Sequence, residues 1–332
     1  MKEIRLGTIG SGPIVHTILD AVKETKGVQC TAVYSRSKEK GRRLAEAYQA
    51  EKVYTNLEDM FMDKEINFIY IASPNILHYE QTKMALLAGK NVICEKPFCT
   101  RAEQVRELAG IAREKGLFLV DAVPTTYLPN YEILKRELKK IGRIRLVLSS
   151  YSQYSSRYDQ LLMGEVPNVF NPEFAGGCLM DINFYNLYLN IALFGEPKEA
   201  VYYPNIYKNL ADTSGILTLA YEDFVSECAG AKDTWGVNSV QIQGEKGYLY
   251  VKDGSNGFSE IRTVTRDGEE VFNEQGETDR RFFEVQNVTK LILSEDRQAL
   301  WDRLALTEKA IRVLEEARTK AGLFFPGDQG WK

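Results

Sequence analysis

Five short apolar runs, at residues 4–9, 29–34, 68–72, 91–94 and 117–120, constrain the first part of this chain more than any other feature. Runs of this length and composition suit strands buried on both faces. Helical patterns accompany them, at residues 14–23, 78–88 and 101–115. Strands alternating with helices predict a doubly wound parallel sheet, whose ligands bind beyond the carboxyl ends of the strands. The alternation stops near Asp121. A helix at 131–140 then leads into a long strand at 143–154, followed by a polar stretch without periodicity to residue 175. After a helix at 179–194 come strands near 199–208, 215–221, 225–231, 237–243, 248–252 and 261–265, and two closing helices near 279–294 and 299–320. Runs of strands rather than βαβ units predict a large, open, mostly antiparallel sheet. The expected fold is therefore α/β in two domains: a dinucleotide-binding Rossmann domain at 1–121 and a substrate-binding and oligomerisation domain at 122–332. A length of 332 residues accommodates both.

Composition removes several function classes. The net charge is −4 and no basic stripe carries interleaved aromatics, which argues against nucleic-acid binding. No apolar run is long enough to span a membrane, and the first residues run into a strand without a signal-peptide core, so a cytoplasmic protein is expected. Five scattered cysteines and two histidines, His16 and His78, show no metal-ligand spacing, and no metal is expected.

The chemistry-bearing residues fall at predicted strand ends. Gly10-Ser11-Gly12-Pro13-Ile14 joins the first strand to the first helix. Gly10 permits the tight turn, Gly12 lets backbone approach a pyrophosphate, and Pro13 suits the first helical turn. Val15 holds the third glycine position of the fingerprint. The second strand ends in Ser35-Arg36, where an NAD-binding unit would place an acid for the ribose 2′-hydroxyl. A hydroxyl and a guanidinium suit a 2′-phosphate instead, so NADP is the favoured cofactor and NAD the other candidate. The run at 68–72 ends in Ser73-Pro74-Asn75, whose amide can reach a ribose or carboxamide. His78 lies in the next helical turn and reads as a packing or capping residue of this cofactor-binding segment rather than a catalyst. The strand at 91–94 delivers Glu95 and Lys96, with Pro97 restricting the backbone of Lys96. In the second half, Asp181 and Tyr185 share one helix face four residues apart. Asn183, Asn186 and Asn190 add polar groups to the same apolar helix. Arg157 and Tyr158, in the irregular stretch, are further candidates for substrate contact.

In order and spacing, Gly10-Ser11-Gly12, the run from Ala72 to His78, Glu95-Lys96-Pro97 and the run from Gly176 to Asp181 resemble the Gfo/Idh/MocA oxidoreductase family over nearly the whole chain. The resemblance implies a Rossmann domain followed by an α/β domain whose open sheet forms a homodimer or homotetramer interface. It also implies a substrate site lined by Lys96, Asp181 and Tyr185. The chain departs from the family pattern at Val15, at Thr126, where many relatives carry an arginine, and at Asn183, where they carry glycine. The expected activity is NAD(P)-dependent hydride transfer to and from a hydroxyl-bearing carbon of a sugar, polyol or cyclic diol. Tyr185 is the expected general base, Lys96 the stabiliser of the alkoxide, and Asp181 the anchor for a substrate hydroxyl. A nucleotide-responsive regulator on the same fold, without turnover, is the alternative.

Overall fold

The computed structural model describes residues 3–331. The chain divides into two compact units. The first comprises the residues up to Val123 together with Asp279–Glu308; the second comprises Pro124–Thr278 and the residues from Lys309 onward. The sequence places everything after residue 121 in the second domain. By contacts, the segment from Asp279 returns to the first unit.

The first unit runs β1 (Ile4–Ile9), α1 (Pro13–Glu24), β2 (Val28–Tyr34), α2 (Lys38–Tyr48), β3 (Lys52–Tyr54), α3 (Leu57–Met62), β4 (Phe68–Ile71), α4 (His78–Leu87), β5 (Asn91–Glu95), α5 (Ala102–Glu114) and β6 (Leu119–Ala122). Its six strands lie in the order β3-β2-β1-β4-β5-β6, and every pairing is parallel. The order reverses between β1 and β4, the position at which doubly wound sheets open a crevice. The strands read as apolar because they are covered on both sides: all four residues of β4 are buried. α2, β3 and α3 are absent from the sequence reading; β3 and α3 are short, and α2 is largely polar. Local capping defines the two helices: the Ser37 side chain accepts from Lys40 N–H and the Asn56 side chain from Asp59 N–H.

The second unit contains α6 (Pro129–Glu137), β7 (Ile144–Ser152), a one-turn α7 (Tyr158–Leu162), α8 (Phe184–Phe194), β8 (Glu199–Ile206), β9 (Asp212–Ala220), β10 (Val225–Ala231), β11 (Ser239–Gly244), β12 (Gly247–Lys252), a one-turn α9 (Gly254–Gly257), β13 (Glu260–Thr265) and β14 (Gly268–Phe272). The eight strands are ordered β14-β13-β12-β11-β7-β10-β9-β8. Only β7 with β10 is parallel; the other neighbours are antiparallel, as the sequence predicts. α6, α8 and α9 pack on one face. The registers place Leu148, Gln241 and Tyr250 in one cross-strand row of the opposite face, and Leu146, Gln243 and Tyr248 in the next. The chain ends with α10 (Arg280–Leu293), in the first unit, and α11 (Arg297–Lys320), within which the division between units falls.

The helix predicted at 179–194 is not uniformly α. Leu179–Asn183 forms a π turn that passes into α8. Its asparagines prove structural. Asn183 donates to the Cys228 carbonyl at 2.9 Å, and Asn186 donates to the Ala229 carbonyl at 3.0 Å. Asn186 also accepts from the Ser255 hydroxyl at 2.6 Å, and Asn190 donates to the Asn186 carbonyl at 2.9 Å. Together they stitch the helix to β10 and α9 and satisfy polar groups that burial would otherwise penalise. Asn183 also explains its own departure from glycine, because Gly230 lies against it: a Cβ there would come within 2.6 Å of the Asn183 Cβ.

Candidate active site

The carboxyl edge of the first sheet gathers the sequence-predicted cofactor residues. At Gly10, φ is +123° and a Cβ would meet the Ala72 carbonyl oxygen at 2.6 Å, so only glycine fits the β1–α1 turn. Gly12 is the N-cap of α1; no side chain caps the helix there, and space is open where a Cβ would stand. Pro13 is the first helical residue, followed by Ile14. The first-turn N–H groups of α1 thus face an uncluttered cradle that suits a pyrophosphate, with Ser11 exposed beside it. Val15, at the third glycine position, is wholly buried and packs by Gly10.

At the end of β2, Ser35 is buried, with its Oγ accepting from Ser37 N–H at 3.3 Å, while Arg36 is exposed. Lys38 and Lys40 follow, also exposed, with Glu39 between them paired to Arg43, so β2 itself ends in a serine and an arginine where an NAD-specific site would carry an acid. After β4, Ser73 donates to Gln81 at 2.7 Å, and Pro74 leads into a 3-10 turn, Asn75–Leu77. His78 is 1% exposed. Its Nδ1 lies 2.9 Å from the Pro97 carbonyl oxygen and its Nε2 2.9 Å from that of Ser73. The ring therefore braces the loops after β4 and β5 against each other. Burial pulls its pKa down, against the two carbonyls, which favour the charged ring.

Lys96 is half-buried directly after β5 and is joined to Pro97 by a cis peptide bond. Its backbone N–H donates to Glu95 Oε2 at 3.1 Å. Glu95 is buried, and its Oε1 accepts from the Tyr70 hydroxyl at 2.7 Å. The Glu95 side chain is thus engaged inside the unit and bears on the cofactor edge through the Lys96 backbone.

In the second unit, the π turn places Asp181 and Tyr185 at the head of α8. Gly177, with φ +134°, starts it: a Cβ there would overlap the Asp212 carboxylate. Asp212 Oδ2 accepts from Leu179 N–H and from the Tyr202 hydroxyl, each at 2.7 Å, and so anchors the first turn. Burial raises the pKa of Asp212. Asp181 forms a hydrogen-bonded ion pair with Lys232, whose side chain is 6% exposed against 32% for the aspartate. Lys232 was missed from sequence; its signal was a Lys-Asp pair at the end of β10. Tyr185 is 3% exposed, in a cluster with Tyr151, Cys178 and Ile182, its ring edge-on to Tyr151 at 6.0 Å.

Lys232 Nζ also lies 5.4 Å over the Phe170 ring, and Tyr158 packs tilted against Phe170 at 5.9 Å. Tyr158 is therefore linked to Asp181 through two intervening side chains, while Arg157 is exposed at the N-terminal end of α7. Burial is the main cause of a raised Tyr158 pKa, with Asp233 adding to it. Thr126 is buried in the turn Pro124–Tyr127 before α6. Among the described residues no group of His, Cys, Asp and Glu could hold a metal ion, and no helix is long and apolar enough to cross a membrane.

Comparison with known proteins identifies the family of the chain. Residues 4–121 match the Gfo/Idh/MocA oxidoreductase family with its NAD-binding Rossmann fold, and residues 136–250 match the C-terminal domain of the same family. The chain is 35% identical to the uncharacterised oxidoreductase YgjR of Escherichia coli K12, over 98% of each protein. It is 34% identical to the scyllo-inositol 2-dehydrogenase (NADP(+)) IolU of Bacillus subtilis 168, over 98% of this chain and 99% of that protein. The structure of KijD10, a 3-ketoreductase from Actinomadura kijaniata in complex with NADP and TDP-benzene, superposes with a TM-score of 0.85 at 21% identity, covering 96% of this chain and 97% of that one, a likeness of fold. Two matched domains and near-full-length relatives place the chain in the Gfo/Idh/MocA oxidoreductase family.

Proposed function

We propose that the protein is a dehydrogenase that moves hydride between NADP and a hydroxyl-bearing carbon of a sugar, polyol or cyclic diol. The observation that carries this reading is a β2 that ends in Ser35-Arg36 rather than an acid, together with Asp181 on the π turn and Tyr185 in the first turn of α8. The Bacillus subtilis relative, named for an inositol and NADP(+), supports both parts.

Bound nicotinamide supplies the hydride acceptor, and this chain's residues do the rest. The Gly10–Ile14 turn and the start of α1 hold the pyrophosphate. Arg36, with Ser35, holds the 2′-phosphate, and Asn75 hydrogen-bonds the cofactor beyond β4. Tyr185 takes the substrate hydroxyl proton and returns it in the reverse reaction. Lys96 stabilises the oxygen as it loses that proton. Asp181, oriented by Lys232, accepts a hydrogen bond from a substrate hydroxyl; because the pair is neutral overall, it suits an uncharged polyol. Tyr158 and Arg157 border the substrate.

The test is a screen of aldoses, inositols and diols with NADP+ and NAD+, read at the nicotinamide absorbance. Turnover of a polyol or diol is expected; a cofactor-binding protein without turnover would instead be the regulator. In cofactor titrations the wild type should bind NADP+ more tightly than NAD+, and Ser35→Asp with Arg36→Leu should reverse that order. Tighter NAD+ binding by the wild type removes Arg36 from the 2′-phosphate site.

The sheet face carrying Leu146, Leu148, Tyr248 and Tyr250 is proposed to receive a second copy of the chain, since the helices of its unit pack on the other face. Sedimentation velocity should then give a dimer or tetramer. Leu148→Asp with Tyr250→Asp should give the 37.7 kDa monomer. A wild-type monomer refutes the interface.

A further inference from the structure

Beneath Lys96 the first unit buries a cluster of ionisable side chains that the reaction does not use. Tyr70, Glu95, Arg281 and Glu284 are 1%, 5%, 4% and 2% exposed. Two carboxylates share one guanidinium: Arg281 Nη1 lies 2.7 Å from Glu284 Oε2 and 3.9 Å from Glu95 Oε1. Glu95 has two further donors, the Tyr70 hydroxyl on Oε1 and the Lys96 N–H on Oε2. Glu284 Oε1, by contrast, has no hydrogen-bond partner among the described residues, and Glu284 lines a cavity with apolar walls.

Inside the cluster two buried carboxyls face one buried guanidinium, Arg281, while Arg280 is only half-buried; the resulting excess of buried negative charge is one that burial penalises. The excess vanishes when one carboxyl carries a proton. Both oxygens of Glu95 already accept hydrogen bonds, from the Tyr70 hydroxyl and the Lys96 N–H, which leaves neither bare. Glu284, with one bare oxygen, is the better holder. The charged or titratable groups facing it are Arg280 and Arg281 from its own helix, Glu95 from β5 and Tyr70 from β4. From β1, α1, β2 and β6 the cavity receives only apolar side chains: Ile4, Leu6, Ile18, Val22, Val28 and Ala122. Consistently, burial first, then Glu95, pushes Glu284 up to about 7 against the pull of Arg281.

We propose that Glu284 is a positioning residue for Lys96: it competes with Glu95 for Arg281, releasing the guanidinium to Glu95 when protonated and drawing it away when ionised. The chain of contacts then runs from α10 through Arg281 and Glu95 to the Lys96 N–H. This rests on the proposed role of Lys96 but is testable without turnover.

Glu284→Gln keeps the side chain's shape and removes its charge. The folded protein holds the Glu284 proton up to about pH 7, whereas an unfolded glutamate releases it near pH ~4.3. Wild-type stability therefore falls as pH rises between these values, and the loss is absent in Glu284→Gln. The variant should gain a few degrees of Tm over wild type at pH 8 and nothing at pH 4; parallel Tm curves overturn the proposal. In wild type, the Lys96 backbone amide resonance should shift with a midpoint near pH 7, and this step should vanish in Glu284→Gln. A Lys96 amide that does not titrate in wild type, or titrates equally in the variant, overturns the coupling. Should the variant not fold, a wild-type Glu284 carboxyl 13C titration in the ordinary carboxylate range is equally decisive against the proposal. Where a substrate turns over, the variant should also flatten the pH profile of kcat/KM near neutrality. Absence of turnover with every polyol would sink the proposed activity but leave the Tm and amide results standing on their own.

Discussion

Tyr185→Phe is expected to lose at least ~10²-fold in turnover while remaining folded. The substitution removes one hydroxyl and keeps the ring, which is 3% exposed and packed edge-on to Tyr151 with Cys178 and Ile182 around it. Loss of one hydrogen-bonding group accounts for about 1 kcal/mol of stability. Loss of the proton acceptor of the chemical step accounts for ~2.7 kcal/mol or more of barrier. A tyrosine that serves only the core predicts the first effect without the second. Melting temperature, cofactor affinity and turnover measured on one preparation separate the two. Cofactor affinity should be nearly unchanged, because the proposed pyrophosphate cradle belongs to β1 and α1. Normal turnover beside a lowered melting temperature would mean that the base lies elsewhere.

Lys96→Met should cut kcat/KM by about 10²-fold or more, the scale of removing one preorganised charge from a reacting oxygen. Methionine keeps most of the length of the side chain. The backbone at this position is held by Glu95, through the Lys96 N–H, and that bond survives the change. Folding and cofactor binding should therefore persist, and the loss should appear in kcat more than in the Kd for NADP. A folded Lys96→Met protein with near-normal turnover would take the lysine out of the mechanism.

The parts of the structure that were legible in the sequence are those where local signals agree. β1, the glycine turn and α1 are each marked by short-range pattern, and Val15 could replace a glycine because the position is a packing contact rather than a phosphate contact. The alternation of strands and helices likewise announced the parallel sheet, and its end near Asp121 announced the second, mostly antiparallel one. What stayed hidden depends on pairing across the chain. Lys232 meets Asp181 over 51 residues, and Arg281 approaches Glu95 from a helix near the end of the sequence; neither leaves a period to read. The hydrogen bonds of the π turn at Leu179–Asn183 span one residue more than those of an α-helix, too little to show in five residues. The asparagines of the π turn and α8 were visible as anomalies, but their carbonyl partners on β10 were not.

The return of Asp279–Glu308 to the first unit has a consequence for the order in which the protein can be made. α10 lines the cavity at Ile4, Leu6, Ile18 and Val22 with Val285 and Val288, and Leu293 comes up to Gly27. A ribosome that has released only the first 121 residues has released a sheet whose flank beside α1 is still bare. The unit built on the parallel sheet is thus completed only after the second sheet has been made, an inversion of the usual N-to-C order of domain maturation. Until then the nascent chain carries an unfinished apolar surface through the synthesis of the entire second sheet, a stage at which holdase chaperones would find their substrate.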